Sequence, residues 1–378
     1  MTKPSLIRVR SAFTASRRQI MQGFAGLSAA AAMGLNGRRA QAEETAVFVG
    51  WQGYDDPLFV DDVLANAGVT LETTYIGNND EIVTKLQTGG IGTVDVVTPY
   101  MGYVPLLAET GLIDPIDESR VPNLADVLPL FRNDKNINHN GELYAVPFTW
   151  GAGPMMYNPA VIPTAPESWM DLFNPEYKGK VGMMDDPLGN IMLAARISTD
   201  AESATFLTME QLTTAIDFLI KVKTETARVV ALSWGELADA LARGDVVITF
   251  SGWEAMKNFA AEKGAVIEYT YPKEGTYAWL DNYCIAKDAP HLDAAYEMCN
   301  QIIGVPSQVL IGNEFIQGIV NSKAIEQLDP DAKALYPYDD PAGFEAKATF
   351  YSFPPLEEDG EHATFDDWMT EYERFKLA

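Results

Sequence analysis

Apolar positions recur along this chain in short blocks whose period switches between two residues and a helical turn. AVFVGW (46–51) is a continuous apolar run of strand length, and VTLETTYI (69–76) alternates as a second strand. Between them LFVDDVLANAG (58–68) has helical spacing and a glycine stop. DEIVTKLQTGG (80–90) predicts another helix with a glycine C-terminus, and VDVVTP (94–99) a short buried strand. GYVPLLAETG (102–111) reads as a helical stretch bent near Pro105. Strand, helix, strand, helix, strand at this spacing predicts an α/β domain with a largely parallel sheet. Ligands of such sheets sit beyond the carboxyl ends of the strands, where Trp51 and the residues after Pro99 fall.

A second α/β set follows. LYAVPFTWGAGPMMYN (143–158) predicts two strand pieces across a glycine-rich joint, and VGMMDDP (181–187) a strand ending in acids. EQLTTAIDFLIKVK (210–223) and SWGELADALARG (233–244) are amphipathic helices, and DVVITF (245–250) is a buried strand. A joint at 148–153 and a return near 275–278 predict two lobes joined by crossing strands, hence a hinged cleft. The boundaries expected are 43–149 with 277–325 for the first lobe, and 150–276 with 326–378 for the second. A mature length beyond what one core usually supports agrees with two domains.

The first 42 residues change the picture. SRRQIM opens at Ser16, an alanine-rich apolar run follows, and AQA ends at Ala42. A charged segment, a short apolar segment and small residues at a cleavage site predict an export signal cut after Ala42. The paired Arg17 and Arg18 point to the twin-arginine route. The alternative, an N-terminal membrane anchor, needs a longer apolar run. The formal charge is −26, and the signal holds seven basic residues and no acid. Without it 20 basic side chains face 53 acidic ones, a net charge of −33. That field repels nucleic acid and anionic lipid and attracts cations, although an acidic surface also suits a salty habitat.

The chemistry of an enzyme is not signalled. GAGPMM (151–156) starts like a dinucleotide loop but lacks a third glycine and carries Pro154. There is no G-x-S-x-G elbow. Two cysteines, Cys284 and Cys299, and three scattered histidines make no zinc or thiol site. The cysteines could pair or stay as separate buried thiols. No metal or cofactor is implied.

Aromatic residues and acids instead gather at strand ends: Trp51 and Tyr54, Tyr100 and Tyr103, Asp185 and Asp186, Phe250 and Trp253. AWLDN (278–282) adds Trp279 and Asp281, which share a face if the segment is a strand. An organic cation wants an aromatic face beside a carboxylate, but those five residues alone fit a half-buried strand better. Each aromatic singly is more often core than ligand wall. Their shared position in both lobes raises the binding reading.

The chain resembles the spermidine/putrescine-binding proteins, periplasmic receptors of ABC importers. VGWQGY, DVVTPYMGYVPLLAETGLIDPID, LYAVPFTWGAG, KGKVGMMDDP, LADALARGDVVITFSGW and YPKEGTYAWLDNYCIAKDAPHLDAAYEM carry the resemblance in order, with VNSKAI behind them. It implies a type II periplasmic binding protein fold, two doubly wound α/β lobes around a hinged cleft. It also implies a monomer without enzymatic activity, partnered by membrane permease subunits and a cytoplasmic ATPase. By position Trp51, Asp186, Trp279 and Asp281 match the family's aromatic and acidic ligand residues. Phe250 stands where the family usually has tryptophan. Gly189 replaces an acid one helical turn after Asp186, Trp253 stands where putrescine binders often carry an acid, and Tyr100 replaces a small serine. Trp234 is brought near the cleft by SWG, and Gln317 replaces a tyrosine.

Those departures favour a methylated onium of betaine, choline or dimethylsulfoniopropionate type. A primary ammonium needs acceptors for three N–H groups, whereas an aromatic cage holds an onium through its ring faces. A betaine carboxylate would need donors, for which Gln317, Ser251 or backbone N–H groups after Gly189 are candidates. A polyamine receptor with a rebuilt site is the alternative, and an exported hydrolase on the same fold a remote one.

Overall fold

The structure, a computed structural model, describes residues 44–378. The export signal and its cleavage site lie outside the described residues. The first apolar block forms β1 (Glu44–Gly50), which pairs in parallel with β2 (Val69–Tyr75) and β3 (Val96–Val97). A small hairpin, β4 (Asn138–His139) and β5 (Glu142–Leu143), precedes β6 (Val146–Ala152). Only Gly153 and Pro154 separate β6 from β7 (Met155–Tyr157), which belongs to a different sheet. There it joins β8 (Val181–Met184), β9 (Ala227–Ala231), β10 (Ile248–Phe250) and β11 (Glu268–Thr270) in the order β11-β7-β10-β8-β9. The chain returns through β12 (Thr276–Ile285), and β13 (Gly318–Ile319) and β14 (Ala348–Phe350) complete the first sheet. Its order is β13-β6-β12-β3-β1-β2, with β14 beside β12. The α/β architecture expected from the strand and helix pattern is present, but its sheets are mixed rather than largely parallel. β12 runs antiparallel to β3 and β6, and β7 antiparallel to β10 and β11, because the chain crosses between sheets at 152–155 and returns at 271–275.

Local chemistry explains most elements. The helix Met209–Thr226 opens with a reciprocal capping box between Thr208 and Gln211 and buries Leu212, Ala215, Ile216, Leu219 and Val222 along one stripe. The helix Trp234–Arg243 is capped by Ser233, whose hydroxyl accepts from the Glu236 N–H, and stops at Gly244 with φ +78°. The stretch at 58–68 departs from the expected helix. It is a 3-10 segment, Asp56–Asp62, and a single turn, Val63–Asn66. Asp61 and Asp62 both have positive φ, which ends any α-helical ladder, and short acids tolerate that region better than most residues. Pro105 does not bend a helix; it sits in the first turn of Val104–Glu109, where its missing N–H costs nothing.

Phe48, Val49, Val96, Val97, Leu280, Tyr283 and Ile285 centre the first core, and Val181, Met183, Ile191, Leu193 and Phe250 the second. Residues 326–378, expected with the second lobe, divide between the two. Leu335, Tyr336 and Phe344 pack with the first core, and Trp368, Tyr372 and Phe375 with the second. Cys284 and Cys299 are free and fully buried, so the pairing left open by the sequence is not made, and burial pushes the Cys299 thiol up to about 12.

Candidate functional site

β12 is buried along most of its length, with Trp279 and Asp281 half-buried among buried neighbours. Residues two apart on a strand share a face, so Tyr277, Trp279 and Asp281 all turn to one side. That side is a cavity of about 370 Å³ between strand ends of both sheets. The neighbouring strand makes room for the rings. A Cβ on Gly151, which pairs with Trp279, would lie 2.5 Å from the indole. One on Gly153 would lie 2.5 Å from the Tyr277 ring. The glycines of GAG thus serve close ring packing rather than a phosphate loop. A register shift after Asp281, opposite Pro147 and Phe148, ends the alternation at the acid.

Each acid is held by a specific group. Tyr54, just past β1, donates its hydroxyl to Asp281 Oδ2, and its own ring stands edge-on to Phe148 at 4.9 Å between centroids. Burial lifts the Asp281 carboxyl to about 7, against the opposing pull of that hydrogen bond. Asp186 caps the helix Pro187–Ser198, its Oδ1 accepting from the Gly189 N–H at 3.2 Å. Burial above all, with a contribution from Asp185, raises its pKa, while hydrogen bonds from Gly189 and Tyr277 act the other way. A side chain at Gly189 would have to displace Asp186 and Tyr277: a Cβ would run into Asp186 Oδ2 and fall 2.5 Å from the Tyr277 hydroxyl. Tyr277 in turn shares a 3.0 Å hydrogen bond with Ser251, whose φ of +64° marks the tight turn leading to Trp253.

Nine of the ten residues singled out from sequence line this cavity: Trp51, Tyr54, Tyr100, Asp186, Trp234, Trp253, Trp279, Asp281 and Gln317. Phe250 does not. It is fully buried beneath the second sheet, 5.6 Å from the Trp169 ring, because its side chain points to the face of β10 opposite the turn at Ser251. Tyr277, Asn79, Leu188, Gly189, Met192 and Gly252 complete the lining. Tyr277 was legible as the residue two before Trp279 on one strand. Asn79 was not, since it lies four residues beyond β2 and is placed by accepting the Tyr100 N–H at 2.9 Å. Behind Trp253 lies Glu254, fully buried. It accepts from Ala152 N at 3.1 Å and from the Tyr271 hydroxyl at 2.8 Å, and burial lifts it to about 7.

Four indoles, three phenol rings and two carboxylates thus converge, with no Lys, Arg or His among the lining residues. The arrangement can solvate a positive charge with acids and ring faces, and its lining contains no nucleophile–base pair for covalent chemistry.

Comparison with known proteins agrees with this geometry. Residues 59–308 match the family described as bacterial extracellular solute-binding protein. The spermidine/putrescine-binding periplasmic protein of Escherichia coli (strain K12) is 27% identical over 312 residues, 82% of this chain and 87% of that protein. The structure of a spermidine/putrescine ABC transporter substrate-binding protein from Streptococcus pneumoniae superposes with a TM-score of 0.71 at 22% identity, covering 88% of this chain and 99% of the other. A binding protein from A. tumefaciens in complex with glucopine superposes at 0.64 with 20% identity, covering 88% and 100%. The fold is therefore that of the two-lobed type II binding proteins, whose members hold chemically different solutes.

Proposed function

Because this chain belongs to the bacterial extracellular solute-binding protein family, we propose that its cleft captures a small organic cation of the polyamine class for an ABC importer. The observation that carries this reading is the pair of carboxylates. Asp281 stands on the strand returning to the first sheet and Asp186 on the second, at an aromatic cavity without basic side chains. Two acids on different sheets suit a ligand with two separated ammonium groups, each charge-assisted hydrogen bond being stronger than a neutral one. Relatives of this chain carry the names of spermidine and putrescine, which supports the same class. Closing the sheets about the crossings at 152–155 and 271–275 would bring both acids onto the ligand.

A second reading is a methylated onium such as choline, glycine betaine or dimethylsulfoniopropionate. Four indoles at one site favour it, and so does the absence of a further acid at Gly189. Each indole face is worth about 0.5–2 kcal/mol to a desolvated cation.

Calorimetry on the mature protein with putrescine, spermidine, choline, glycine betaine and dimethylsulfoniopropionate separates the two. Micromolar or tighter binding of a primary amine, with weak binding of the quaternary ions, is the expected result. Binding of the quaternary ions alone would replace the first reading with the second, and turnover of any of them would reopen the hydrolase alternative.

A further inference from the structure

Gln317 is a residue of the cleft whose hydrogen-bonding sense can be worked out from its neighbour. The Thr149 hydroxyl oxygen lies 2.9 Å from the end of the Gln317 side-chain amide and 2.9 Å from the Gly318 carbonyl oxygen. Thr149 is fully buried on β6, so water supplies no further proton. A hydroxyl carries a single proton and two lone pairs, and a backbone carbonyl can only accept. The Thr149 proton therefore goes to the Gly318 oxygen. An amide oxygen 2.9 Å from the same hydroxyl would then face an oxygen with no proton between them. A half-turn of the glutamine amide, which exchanges two groups of nearly equal size, removes the conflict. Nε2 then donates one N–H to Thr149 Oγ1, and the Thr149 proton goes to the Gly318 oxygen.

We propose that Gln317 presents its amide oxygen to the cleft, as an acceptor that selects ligands carrying N–H groups over permethylated ones. The inference rests on the cation-binding reading above and narrows it. The oxygen that Gln317 turns to the cleft is not the donor that a betaine carboxylate would require. The side chain is held in place for this task. Ile316, immediately before it, has φ +57°, an outlying conformation for a β-branched residue, and its carbonyl accepts the Tyr336 hydroxyl at 3.0 Å. Gln317 precedes β13, at the opposite edge of the first sheet from β2, with Asp281 on β12 between them. An ammonium reaching Asp281 from that side would meet a carboxylate and a neutral carbonyl oxygen. A trimethylammonium would leave the carbonyl oxygen desolvated and unpaired.

Two measurements test this independently. In the ligand-free protein with glutamine side chains labelled with nitrogen-15, the Gln317 Nε2 protons should show cross-relaxation to the Thr149 methyl group. They should also exchange at least about tenfold faster in Thr149→Val, which removes their acceptor. Exchange unaffected by Thr149→Val, in a variant that keeps its cooperative melt, would overturn the assignment. For the ligand, putrescine is compared with its bis(trimethylammonium) analogue. Gln317→Met keeps the length and loses the acceptor, and should weaken putrescine about tenfold while leaving the quaternary analogue unchanged. Equal losses for both ligands would overturn the selecting role. Binding of neither ligand to the native protein would overturn the polyamine reading instead, with the sense of the amide still decided by the exchange arm.

Discussion

Asp281, one of the two acids that carry the cation reading, and Trp253, one of its four indoles, can each be tested at a single side chain. Burial holds the Asp281 carboxyl at about 7, so near neutral pH a cation competes with a proton for the same oxygens. Cation affinity should rise with pH up to about 7, by as much as tenfold per unit if this group alone titrates, and level off above. Titrating putrescine between about pH 5.5 and 8.5 checks this, and Asp281→Asn should weaken binding and flatten the profile. The ligand-free protein should behave in the opposite sense. An acid whose pKa is raised by folding adds stability below its unfolded value near 4, and that stability is lost as pH rises through about 7. Glu254, also lifted to about 7, acts in the same window, so Glu254→Gln should make the melting temperature less sensitive to pH between about 5 and 8. Trp253 is half-buried with its ring edge-on to Phe259 at 5.6 Å, and it lines the cleft. Trp253→Ala should cost about 1–2 kcal/mol of cation affinity, the value of a desolvated ring face. A loss of several kcal/mol of stability with binding falling only in step would mark it as core instead.

At the scale of elements, the cleft is made where β6 and β12 run side by side. Gly151 lets the Trp279 indole lie against the backbone of β6, and Gly151→Ala would drive a methyl group into that ring. The expected result is a drop in cation affinity of about tenfold or more with only a modest loss of stability, since the indole can swing into the open cavity instead. Equal affinity in a folded Gly151→Ala protein would mean that the Trp279 position does not matter to binding. The strands β1, β2, β3, β6, β7, β8 and β10 and the helices Met209–Thr226 and Trp234–Arg243 were legible because period, caps and glycine stops agreed with one another: Thr208 with Gln211, Ser233 with Gly244. The stretch at 58–68 was not. Its apolar spacing is helical, but local choices at Asp61 and Asp62 break the ladder, and spacing carries no information on φ.

For the molecule as a whole, the two short crossings predict that the two sheets move on binding. Only Gly153 and Pro154 separate β6 from β7, and residues 271–275 separate β11 from β12, so few backbone torsions need change. Small-angle scattering should record a smaller radius of gyration at saturating ligand than without it. An unchanged radius with calorimetrically proven saturation would argue for a preformed cleft. The charge of −33 on the chain after Ala42 should also make cation association faster at low salt than at high salt, because the surrounding field is screened within about 10 Å at 0.1 M.

Fold class and many cleft residues followed from short-range regularities in the chain, while Trp234 and Gln317 were reached only through resemblance to a known family. Strand and helix periods set the elements, and Trp279 with Asp281 share a face by simple alternation. The strand-end rule placed Trp51, Tyr54, Tyr100, Asp186 and Trp253 at the same rim, but it also named Tyr103, Asp185 and Phe250, which lie outside the lining. Tertiary structure decided what depends on contacts between distant segments. Phe250 belongs to the core because Trp169 and Phe218 cover it from elsewhere in the chain. A side chain at position 189 would meet Asp186 and also the Tyr277 hydroxyl, which comes from a strand far along the chain. The sense of the Gln317 amide is set by a hydroxyl on β6, at Thr149. Periodicity reports which way a side chain faces, and only the packed chain reports what it meets there.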